Sequence, residues 1–87
     1  MQVAVWDTWV TKPDGTRMHF DIIVPEDQSR PEIVYNFGHE YLREKGLGGL
    51  ELESSTCAYC HSEPCRPEWA AQIEARGYAI HEMEGCR

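Results

Sequence analysis

The chain has 87 residues, 15 acidic against 8 basic, for a net charge of -7 near neutrality. With no basic cluster it lacks the phosphate-neutralising charge on which nucleic-acid affinity rests, and no apolar run approaches membrane-spanning length. A hydrophobic content of 41% with three tryptophans is that of a folded protein rather than a disordered tail. The length predicts a single domain over residues 1–87, small enough that a metal or disulfide staple would add usefully to its stability.

Met1-Gln2-Val3-Ala4-Val5-Trp6 has neither the basic start nor the unbroken apolar core of a secretory signal, so a cytosolic location is expected. Residues 2–11 and 17–24 are rich in Val, Ile, Thr and aromatics, and Lys12-Pro13-Asp14-Gly15 between them suits a type I turn with Gly15 left-handed. This predicts a β-hairpin. If Lys12 faces Thr16, Val10 faces Met18, Thr8 faces Phe20, Trp6 faces Ile22 and Ala4 faces Val24 on the core side. The other side carries Trp9 with His19, Asp7 with Asp21, and Val5 with Ile23.

Ser29-Arg30-Pro31-Glu32 reads as a capping box, and Ile33, Val34, Phe37, Tyr41 and Leu42 recur at helical spacing until Gly46, predicting a helix over 30–45. His39 falls on the opposite, exposed side of it. Leu50 to Ser55 reads as a short strand. Pro67-Glu68-Trp69 opens a second helix that Gly77 ends, before a last strand from Tyr78 to Met83. The fold expected is α+β, of ββαβαβ order, with two helices and a mixed four-stranded sheet. The mixed character comes from a right-handed crossover leaving the last two strands parallel.

Parallel pairing would bring Cys57, just past the third strand, beside Cys86, just past the fourth. Cys60, His61 and Cys65 fall in the loop leaving the same edge. A C-x-x-C pair turns two thiolates toward one centre, and a structural zinc needs two more Cys or His donors. The spacing therefore predicts Cys57, Cys60 and Cys86 as zinc ligands, with His61 or Cys65 as the fourth. The same pair near a helix N-terminus also fits a thiol-dependent redox protein, the alternative reading. Unmetallated thiols, packed as small hydrophobes, are the plainer one. Cys57-Ala58-Tyr59-Cys60-His61 matches a c-type haem attachment pattern, with Met83 as a distal ligand, but attachment requires export and this sheet offers no slot for a porphyrin. No haem is expected.

Asp7 facing Asp21 is a like-charge cross-strand pair, which costs stability unless both are solvated, share a proton or hold a cation. With His19, Trp9 and Thr8 nearby it forms a possible second site, Asp7, His19 and Asp21, although solvated aspartates are the plainer expectation. No nucleophile elbow, phosphate-binding glycine loop or paired catalytic base is present. An enzyme is thus not the first expectation. A binding or adaptor domain is, with a protein or small molecule as partner and neither nucleic acid nor membrane.

Val5-Trp6-Asp7-Thr8, Met18-His19-Phe20-Asp21, Cys57-x-x-Cys60-His61-Ser62 and Met83-Glu84-Gly85-Cys86 together resemble a small bacterial family, the domain of unknown function twenty twenty-four. The resemblance runs nearly the whole length. It implies a compact ββαβαβ domain without a known activity. Its pattern falls on Cys57, Cys60, His61 and Cys86, favouring His61 over Cys65 as fourth ligand, and also on Asp7, His19 and Asp21.

Overall fold

Two long apolar strands joined by a tight turn organise the molecule. The computed structural model describes residues 1–86. Strand β1 (Gln2–Thr11) and strand β2 (Arg17–Pro25) pair antiparallel in the register set by the turn, with Trp6 opposite Ile22, Asp7 opposite Asp21 and Trp9 opposite His19. Gly15 takes a φ of 88°, the left-handed position that closes the loop, and Lys12 N donates to Thr16 O at 2.8 Å.

Helix α1 (Pro31–Glu44) follows a 3-10 turn over Glu26–Gln28. Its N-cap is Arg30, with no side-chain cap; the hydroxyl of Ser29, expected to cap it, instead accepts from Trp6 Nε1 at 3.0 Å. Val34, Tyr41 and Leu42 pack on one face of the sheet against Trp6, Phe20, Ile22 and Val24, as helical spacing predicts. Gly38 lets the helix come close: a Cβ there would lie 2.3 Å from Leu52 Cδ1 and 2.8 Å from Ile22 Cδ1.

The third strand is not Leu50 to Ser55. That segment is irregular: Leu52 is buried against α1, its N–H donating to His39 Nε2 at 3.1 Å, and residues 53–56 form a turn. His39 is thus a clamp on this loop rather than a free surface residue. Strand β3 (Cys57–Pro64) pairs antiparallel with β1, with a β-bulge at which His61 faces Val5, Tyr59 faces Trp6 and Cys60 is the extra residue. Helix α2 (Pro67–Arg76) ends at Gly77, φ 92°, and leads into strand β4 (Ala79–Glu82), which pairs antiparallel with β2.

The architecture is α+β, of ββαβαβ order with four strands and two helices. The strand order is β3-β1-β2-β4 and every pairing is antiparallel, which corrects the mixed sheet with adjacent parallel last strands. The crossover rule governs two parallel strands of one sheet; here α2 carries the chain from one edge to the other, and β4 runs opposite to β3. Helix α2 lies on the face away from α1, where Trp69 packs with Val3, Val5, Ile23 and Ala79. It covers the end of that face where those residues lie. Asp7, Trp9, His19 and Asp21 occupy the remainder, each partly exposed. Among the described residues no helix is long and apolar enough to cross a membrane.

Candidate functional site

Cys57 opens β3 rather than following a strand; its side chain is buried and its Sγ accepts from the Thr8 hydroxyl at 3.3 Å. Burial pushes its thiol pKa up, away from the thiolate that metal binding or redox attack requires. Cys86 is buried beyond the other edge, its Sγ donating to His19 O at 3.3 Å. It borders a small pocket with Lys12, Met18, Lys45 and Leu47.

Because β3 is antiparallel to β4, Cys57 and Cys86 do lie toward the same end of the sheet. They follow strands at opposite edges, however, with β1 and β2 between them, a strand-to-strand gap of about 14 Å at the usual spacing. Cys60 is exposed at the bulge. The His61 ring is taken by Glu63 Oε2 at 2.6 Å, and Cys65 Sγ is directed to Arg66 O at 3.4 Å. The structure therefore does not bring Cys57, Cys60, His61 and Cys86 together, nor does Cys65 complete such a set. All four cysteines are free. The C-x-x-C pair lies along an extended strand, which separates its two residues by about 10 Å, beyond disulfide reach while β3 is paired.

The polar part of the α2 face is the opposite case. Asp7 on β1 and His19 and Asp21 on β2 present one ligand atom each, all within 4.8 Å of one another, and they are the only such His, Cys, Asp and Glu cluster among the described residues. His19 Nε2 lies 2.5 Å from Asp7 Oδ1, with the His19 side chain 16% exposed and Asp7 42%. Two like-charged carboxylates on central strands are thus held close, against the plainer expectation of solvated aspartates. Burial first, then the hydrogen bond and charge of Asp7, push the Asp21 carboxyl up to about 6, while His19 and His81 pull the other way.

The ring of His19 is fixed from its second side. Trp9 stacks on it with centroids 3.9 Å apart and planes at 12°, and the Arg17 guanidinium sits 4.5 Å from the Trp9 ring centroid. Sequence reading singled out Trp9 but not Arg17. His81, counted only among the donors available to the cysteines, was not linked to these residues; β4 sets it opposite Asp21, a partnership that exists only once β4 is known to pair with β2. Chemically the face offers two carboxylates and one imidazole, a hard-to-borderline donor set open to solvent.

A solved structure shares this fold. It is the NMR structure of protein NE1680 from Nitrosomonas europaea, a structural genomics target, 37% identical over 100% of both chains with a TM-score of 0.86. No curated protein matches the chain. The model of the family described as Domain of unknown function (DUF2024) matches residues 1–83, and the chain belongs to that family.

Proposed function

We propose that this is a small divalent-metal-binding domain whose working site is Asp7, His19 and Asp21. The observation that carries the reading is the approach of their three ligand atoms to within 4.8 Å on one open face. Donors around a first-row ion, at about 2.1 Å from it, are about 3 to 3.5 Å apart, so modest side-chain rotations close the set. The ion would offset both the burial of the Asp21 carboxylate and, after it, the Asp7 charge that together raise the Asp21 pKa. Ligands drawn from one open face leave the solvent side of a six-coordinate ion free, the pattern of a site that meets a further molecule rather than of a structural staple.

Cobalt(II) titration tests this reading against the cysteine one. Binding near one equivalent is expected, without the charge-transfer absorption that thiolate ligands give, and it should be lost in Asp7→Asn and Asp21→Asn but kept in Cys57→Ser and Cys60→Ser. Strong thiolate absorption, or equal binding by the aspartate variants, would refute it.

A further inference from the structure

We infer that His81 is a fourth ligand at this site and selects a borderline transition ion over Mg²⁺ or Ca²⁺, an inference that rests on the metal-binding reading above. The antiparallel register sets His81 directly opposite Asp21, as Asp21 is opposite Asp7, so Asp7, Asp21 and His81 form one row across β1, β2 and β4. Directly opposed residues of an antiparallel pair have Cβ atoms about 4.5 to 5.5 Å apart and point to the same face. His81 therefore rises from the same side of the sheet as the cluster.

Nothing ties its ring elsewhere. It is exposed, has no hydrogen bond or ion pair among the described residues, and meets only the edge of Trp69, with centroids 6.2 Å apart and planes at 77°. His19 is locked by Trp9 and Asp7, whereas His81 is free to swing. Its ring lies outside the tight trio and closes on an ion as the fourth donor. The number of imidazoles sets the ion class: two carboxylates with one imidazole still admit Mg²⁺, whereas two carboxylates with two imidazoles favour Mn²⁺, Fe²⁺, Co²⁺ or Zn²⁺.

The test titrates wild type and His81→Ala with cobalt(II) and, separately, with Mg²⁺, and follows the histidine ring protons by NMR during the cobalt titration. The expected result is a loss of about tenfold or more in cobalt affinity in His81→Ala, the scale on which tuning a metal's surroundings acts, with Mg²⁺ binding unchanged. In wild type the ring protons of both His19 and His81 should be paramagnetically shifted or broadened to the same degree. Equal cobalt affinity in the two proteins, or a wild-type spectrum in which His19 responds and His81 does not, overturns the fourth ligand and leaves the three-residue site standing. Failure of wild type to bind cobalt overturns both. The NMR arm needs no variant, so the inference stays decidable if His81→Ala folds poorly.

Discussion

Replacing Asp21 by asparagine should make the metal-free protein more stable near neutral pH, although it removes a residue of the candidate site. In the folded chain the Asp21 carboxyl is raised from 3.8 to about 6, first by burial and then by Asp7. The folded state then holds this proton more tightly than the unfolded one, so the associated stability is complete below about pH 4 and is lost as pH rises through about 6. Converted in full, that displacement is about 3 kcal/mol. The group is only about half buried, so solvent screening reduces the figure to about 1 kcal/mol. For a domain of this size that corresponds to about 4 to 8 °C in melting temperature.

Thermal melts by circular dichroism, in chelator, from about pH 3 to about pH 8 read this directly, since the range brackets the unfolded and folded pKa values of Asp21. Wild type should lose stability across the range and Asp21→Asn should not, the two converging at the acid end, where a protonated carboxyl and an amide are near equivalents. A variant no more stable than wild type at neutral pH would show that the carboxyls are not in conflict, and would remove the energetic reason for a cation there.

Tyr78→Phe should raise stability by about 1 kcal/mol in urea melts, because the buried Tyr78 hydroxyl has no hydrogen-bond partner among the described residues; a clear loss would mean that it has one. Gly38→Ala should destabilise by about 1 to 2 kcal/mol, the overlap with Leu52 and Ile22 outweighing the better helix propensity of alanine, and a gain in melting temperature would disprove that close approach. Under native conditions iodoacetamide should label the exposed Cys60 quickly and spare buried Cys57 and Cys86 until the protein unfolds. Mass mapping of the alkylated peptides checks this, and a Cys57–Cys60 disulfide formed under mild oxidation with β3 intact would contradict the strand assignment.

The hairpin was legible in full because one device determines it: Lys12-Pro13-Asp14-Gly15 sets the turn, the turn sets the register, and the register sends Asp7, His19 and Asp21 to one face. Strand β3 was not legible. At the sheet edge most of its side chains face solvent, so Cys57 to Pro64 carries no apolar alternation, whereas Leu50-Glu51-Leu52-Glu53 shows that alternation in an irregular loop. Pairing order was hidden for another reason: local sequence does not say on which side of the hairpin each later strand adds. With β3 added to β1 and β4 to β2, the cysteines separate and His81 meets Asp21. The cluster was named from the residues but weighed as solvated, since the strands that flank the hairpin were not yet placed.

All three donors of the candidate site belong to β1 and β2, and Asp7 and His19 are only twelve residues apart in sequence. Closing so short a loop takes a small fraction of the chain's entropy and, for hairpins, about 1 to 10 μs. The edge strands and helices join through contacts of longer sequence separation, which form more slowly. The site's three donors are therefore set by the hairpin's own register. A cation captured there would act as a nucleating ligand, shortening the search for the native sheet as well as holding the finished one.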